Sequence, residues 1–379
     1  MPSFIETTPR LDGESIPCRA CVGRAARRLA TWLAAALACM APAFGAGAQE
    51  PVWELETWEV PYDYSSPSRP VSYEPLARAT KKWRICASYP HLKDSYWLSV
   101  NYGMVLEAER LGVALQVVEA GGYPNLARQS AQIRECTASG TDILVVGTVS
   151  FEGLTPTVLE IARRLPVTAV VNDIADRGIS AKTGVSWTIM GSSIGEYLAR
   201  RHPEGSAPVK VAWFPGPEGS GWVPFVEAGF REALQESSAE IVVTKYGDTG
   251  REIQLILLEE AIEERPDVDY IVGSAVTAEM AVSALRARGL LGRIRILADY
   301  FTHAVYRGIK RRRIQAAPTD FPVVQGRLGI EQAVRLLEGR LDLIHLGPAI
   351  RLVDLENVDE LGTGTSLAPA WFTPRFIVE

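Results

Sequence analysis

The chain is poor in the residues that most binding and catalytic chemistries need. Of its five cysteines, Cys18, Cys21 and Cys39 lie in the leading segment, and only Cys86 and Cys136 follow it. The four histidines, at 91, 202, 303 and 345, are scattered, so no metal-ligand spacing exists and no metal is expected. There is no basic excess: the formal net charge is −6. The one basic run, Lys310-Arg311-Arg312-Arg313, reads as a solvated helix end, where cations suit the helix dipole. Nucleic acid is therefore not an expected partner. Enzyme signatures are missing as well. Gly216-Pro217-Glu218-Gly219-Ser220-Gly221 has neither the dinucleotide fingerprint nor the Lys-Ser/Thr of a phosphate loop. Ser220 lacks the flanking of a nucleophile elbow, no histidine suggests a triad, and the carboxylates are dispersed. Neither an enzyme nor a cofactor is indicated.

What is present begins with an export signal. Arg19, Arg24, Arg27 and Arg28 precede an apolar run from Leu29 to Phe44, and Ala46-Gly47-Ala48 has the small-x-small form of a cleavage site before Gln49. A membrane helix needs about 20 apolar residues, which the run does not supply. Residues 1–48 thus read as a signal peptide, with no membrane insertion after cleavage. The competing readings are an uncleaved anchor and a lipoprotein on Cys39, whose stretch Ala36-Leu37-Ala38-Cys39 matches a lipobox only in part, Ala36 standing where Leu is usual. Removal of residues 1–48 takes five basic and three acidic residues from totals of 39 and 45, leaving 34 and 42, a net charge near −8. The expected compartment is the periplasm, an oxidising one.

Residues 49–81, rich in Pro, Tyr and Ser, read as an N-terminal arm lying over the surface. From Trp83 short apolar runs alternate with amphipathic stretches. Runs at 84–88, 114–118, 142–146, 167–171, 209–214, 240–244, 270–272 and 294–298 read as buried strands, with helices near 125–139, 156–164, 190–202, 223–237, 251–265, 277–288 and 302–313 between them. Strands alternating with helices imply βαβ units and parallel sheets. The length after cleavage exceeds one core, so the fold expected is α/β with two doubly wound lobes. Residues 354–379 read as an extended tail, with Trp371 and Phe372 available as anchors. A helix at 125–139 would cross back over the first strand, bringing Cys136 towards Cys86. A disulfide is expected there, against two buried thiols.

Ligands of open α/β sheets bind beyond the carboxyl ends of the strands. Those positions hold Asp94-Ser95-Tyr96-Trp97, Gly121-Gly122-Tyr123, Asn172-Asp173, Val185-Ser186-Trp187, Gly221-Trp222 and Asp299-Tyr300-Phe301. Faces of Trp and Tyr stabilise a cation, and a methylated ammonium is the usual guest of such a cage. Tyr hydroxyls and Trp N–H groups can donate to an oxygen on the same ligand. For any single aromatic, core packing is the plainer role; for Asp94, helix capping is the plainer role.

At these residues the sequence resembles the TorT family of periplasmic binding proteins, of the trimethylamine N-oxide (TMAO) respiration system. The segments KDSYWLSVNYGMV, EAGGYPNLARQ, VAWFPGPEGSGW and YRGIKRRRIQAAPTD carry the likeness, which runs from about Trp83 to about Val353. The last segment, with QGRLGIEQAVRLLEGR, is also similar to sugar-type binding proteins and LacI-type effector domains. The resemblance implies a type I fold, with crossings near 184–187, 298–302 and 318–321. It assigns 82–185 and 301–318 to one lobe, and 186–299 and 320–353 to the other. It implies TMAO as ligand and the periplasmic domain of a TorS-like sensor histidine kinase as partner. The family's aromatic pocket falls on Asp94, Tyr96, Trp97, Tyr123, Trp187 and Tyr300, while Asp299 departs towards the sugar-binder pattern. The alternative function is the solute-binding component of an ABC importer for a sugar or methylated amine.

Overall fold

A computed structural model describes residues 52–138 and 140–379. The expected signal peptide, its cleavage site and Cys39 lie outside the described residues. The described chain opens with a hairpin, β1 (Trp53–Trp58) and β2 (Ser68–Tyr73). Next comes β3 (Arg84–Tyr89), buried at every position after Arg84, as a parallel strand covered on both faces should be. Asp94 caps the following helix, α1 (Ser95–Leu111), and Gly112 ends it in the left-handed conformation at φ 76°. The alternation continues through β4 (Ala114–Glu119), α2 (Leu126–Cys136), β5 (Ile143–Val146), α3 (Thr155–Ala162), β6 (Val167–Val171) and β7 (Ala181–Gly184). Strands β3 to β7 run parallel.

The second half repeats the plan. After α4 (Trp187–Arg201) come β8 (Val209–Gly216), α5 (Val223–Ala233), β9 (Ala239–Tyr246), α6 (Arg251–Glu264), β10 (Tyr270–Gly273), α7 (Ala275–Ala287) and β11 (Arg295–Ala298). Four of these strands form a parallel sheet in the order β11-β10-β8-β9. The remaining elements are α8 (His303–Lys310), β12 (Ala316–Thr319), α9 (Pro322–Leu337), β13 (His345–Gly347), β14 (Arg351–Asp354) and β15 (Ile377–Val378).

Their packing corrects the expected division of the chain. Helix α8 packs on α7, and β12 lies beside β11, with Gln315 N donating to Ile296 O at 2.9 Å. Residues 301–318 therefore belong to the second lobe, not the first. Helix α9 packs against α1 and strands β5 to β7, and β13 pairs with β7, so 322–347 belong to the first lobe. The crossings lie at 185–186, 320–321 and 348–350; the segment 298–302 is not one of them. A strand and helix in either lobe have the same apolar pattern, and nothing in it marks which sheet they join.

The arm is also more than a surface strap. β1 pairs antiparallel with β13 on one side and β2 on the other, extending the first sheet to the order β15-β4-β3-β5-β6-β7-β13-β1-β2. Leu55 and Tyr73 share a small core with Leu328 and Leu346. At the far edge, β15 of the tail pairs with β4. Phe372 is buried with its ring 5.0 Å from that of Tyr102, but Trp371 stays 74% exposed, so Phe372 is the anchor of the two. The structure joins Cys86 on β3 to Cys136 on α2. Among the described residues, no helix is long and apolar enough to cross a membrane.

Candidate functional site

The loops after β3, β4 and β6 meet the loops after β8, β9 and β11, and a cavity lies between them. The structure brings all six residues singled out from the sequence to its wall: Asp94, Tyr96, Trp97, Tyr123, Trp187 and Tyr300. Asn172, Trp222 and Thr249 complete it. The space left between these side chains is small, about 10 Å³, so the rings close on one another and leave room only for a small guest once they part.

Aromatic rings make most of the wall, and they touch across the lobes. Tyr96 of the first lobe meets Tyr300 of the second edge-on, centroids 5.3 Å apart. Trp222 lies 5.5 Å from Trp187, 5.8 Å from Tyr300 and 6.4 Å from Tyr123. Such edge and tilted pairs are favoured by the ring quadrupole. The lobes are shut over the cavity by polar contacts as well. Asp173 N donates to Gly221 O at 2.8 Å, Lys93 pairs with Asp248, and His91 Nε2 lies 3.2 Å from Thr249 Oγ1.

Three of the rings are fixed by hydrogen bonds to neighbouring groups. Tyr96 donates its hydroxyl proton to Asp320, at the second crossing, and Gln325 donates to the same carboxyl oxygen. Trp187, the first residue of α4, donates its indole N–H to Val171 O at 3.2 Å. Val171 has φ 68°, a left-handed conformation that a β-branched side chain strongly resists. Strain of this kind, about 1–3 kcal/mol, is typical of ligand sites. The Tyr123 hydroxyl accepts from Asn172 Nδ2 at 3.2 Å, and Asn172 also donates to Thr148 O at 2.7 Å.

Asp94 is the charged member. Its Oδ1 accepts from the backbone N–H groups of Tyr96 and Trp97 at 3.0 and 3.2 Å. Burial pushes its pKa up to about 6; the two backbone donors and Lys93 oppose that rise. Capping and the cavity are thus both served by one carboxyl group. His91, beside it, is held at about 3 by burial and then by Lys93, so it is neutral at physiological pH. Asp299, buried with no hydrogen-bond partner for either carboxyl oxygen, is raised well above the usual carboxylate range by burial. It does not line the cavity. Among the described residues no group of three His, Cys, Asp or Glu side chains could hold a metal ion.

Residues 82–357 match the family described as periplasmic binding proteins and sugar binding domain of LacI family. The chain belongs to that family. It is also a homologue of the periplasmic protein TorT of Escherichia coli (strain K12), 39% identical over 305 residues, 80% of this chain and 86% of the relative. An ABC transporter solute binding protein from Bradyrhizobium sp. BTAi1, solved with bound Bis-Tris, is 45% identical with a TM-score of 0.74, covering 86% of this chain and 98% of its own. TorT solved in complex with the TorS sensor domain in the presence of TMAO is 39% identical with a TM-score of 0.72, covering 78% and 100%.

As a TorT-like periplasmic binding protein, the chain belongs to a family of binding proteins, not enzymes. Three wall residues of its cavity escaped the ligand set read from the sequence. Trp222 carried a signal, standing at a strand end after a glycine-rich loop, and Asn172 ends its strand in the same way. Thr249 carried none.

Proposed function

We propose that the protein is exported to the periplasm, binds TMAO in this interlobe cavity, and signals the bound state to the periplasmic domain of a TorS-like sensor histidine kinase. One observation carries the reading: five Tyr and Trp rings singled out at four strand ends, with Asp94, wall a single small cavity shared by both lobes. TMAO joins a methyl-wrapped cationic nitrogen to a strongly accepting oxygen. Ring faces and the Asp94 carboxylate suit the first, and Tyr and Trp donors suit the second. A ligand gripped by both lobes favours the shut arrangement over any other, and differential affinity of that kind is what a signal requires. The homology to TorT, solved with the TorS sensor domain, supports the partner.

The Bradyrhizobium relative favours a second reading, uptake of a methylated amine or sugar through an ABC importer. A deletion strain carrying a kinase-output reporter separates the two. The signalling reading expects loss of the TMAO response on deletion, and ligand-dependent pull-down of the kinase's periplasmic domain. An intact TMAO response with abolished uptake of some solute would establish the transport reading instead.

A further inference from the structure

The wall residue with unspent bonding capacity is Trp222. It is 2% exposed, and its indole Nε1 makes no hydrogen bond of good geometry, standing only near the Tyr123 hydroxyl, whereas that of Trp187 is bonded to Val171 O. A buried donor left open towards a ligand cavity is costly unless the ligand completes it. The neighbouring Tyr123 hydroxyl accepts from Asn172, which leaves its own proton to donate.

The loop carrying Trp222 is shaped for this placement. Gly216 has φ 111°, and a Cβ there would sit 2.6 Å from Trp222 Cη2, displacing the ring. A Cβ at Gly221 would sit 2.1 Å from the Asp173 carbonyl oxygen, so only glycine lets the loop reach the first lobe, where Gly221 O accepts from Asp173 N. Asp173 is itself held by Lys182, whose Nζ lies 2.5 Å from its Oδ1.

We infer that Trp222 is the second lobe's ligand-reading residue: its indole N–H donates to the ligand's anionic oxygen, beside the Tyr123 hydroxyl, and that bond holds the 216–222 loop shut on Asp173. The inference rests on the TMAO reading of the cavity and adds a ligand class. An oxygen bonded directly to the methylated nitrogen can lie at the edge of the Trp222 ring, in line with its N–H, while the methyls meet the neighbouring rings; a carboxylate on a longer arm, as in betaine, cannot keep both contacts at that spacing. The site therefore selects compact amine oxides.

Calorimetric titration of wild type, Trp222→Phe and Trp222→Ala with TMAO, betaine and tetramethylammonium tests this. Trp222→Phe keeps a ring face and removes the donor. It should weaken TMAO at least tenfold while leaving tetramethylammonium within about twofold, and Trp222→Ala should narrow the preference for TMAO over betaine. In wild type, the Trp222 indole proton resonance should shift on adding TMAO and not on adding tetramethylammonium. Unchanged TMAO affinity in a folded Trp222→Phe protein, or equal loss of both ligands, would overturn the donor role while leaving the TMAO reading in place. No binding of TMAO to wild type would overturn both.

Discussion

Asp94 shows how one residue serves the fold and the site together. Its Oδ1 caps α1 while burial raises its pKa to about 6. The sign of the resulting pH effect follows from charge. Above about pH 6 the carboxylate is ionised and attracts a cationic nitrogen; below it, the proton must leave before that attraction exists. Lys93, its chain neighbour, pairs across the cleft with Asp248, and His91 is neutral above about pH 3. TMAO affinity should therefore be flat from pH 8 to 7 and about fourfold weaker at pH 5.5, the loss expected of a group with this pKa. Asp94→Asn should remove that dependence. An affinity that rises as pH falls would show that the protonated acid binds the oxygen instead. The residue itself was legible because Asp-x-Tyr-Trp stands where a strand gives way to a helix. Asn172 was harder to assign, since its role depends on Tyr123, 49 positions away in sequence, arriving beside it.

At the scale of elements, the hairpin of β1 and β2 guards the hinge. Its partner β13 and the adjoining β7 are the strands that lead into the third and first crossings. His345 on β13 stacks on Trp58, centroids 4.4 Å apart, meets Tyr64 edge-on at 4.5 Å, and accepts from Tyr62 N at 3.0 Å. Burial, with Lys182 second, holds its pKa at about 3. Deleting residues 52–73 should remove the burial of Leu55, Trp58 and Tyr73, each contributing about 1.5–3 kcal/mol. The thermal midpoint should drop clearly, and His345 should titrate nearer 6.5 by NMR. An unchanged midpoint would reduce the arm to a surface strap. The sequence hid this role because a Pro- and Ser-rich segment has no sustained apolar period, and edge pairing is decided by a strand almost 300 residues later. The same limit explains the misassigned lobes. Strand and helix identities were readable from period and composition; which sheet β12 and α9 joined depended on long-range packing against β11 and α1.

For the whole molecule, the two-lobed α/β plan was legible because parallel strands buried on both faces leave an unmistakable run of apolar residues between helices. The cavity was legible for a different reason: strand ends converge in such folds, so aromatics placed there meet even when far apart in sequence. What the pattern did not reveal is that the rings of both lobes touch and that Trp222 closes the gap between Trp187, Tyr300 and Tyr123. The central claim is capture of a small methylated amine oxide between the lobes. Calorimetric titration of the chain lacking residues 1–48 with TMAO, beside a panel of sugars, tests it most directly. The account predicts one TMAO site per chain, at least tenfold weakened in Trp97→Ala, and no sugar binding; binding of a sugar with none of TMAO would contradict it.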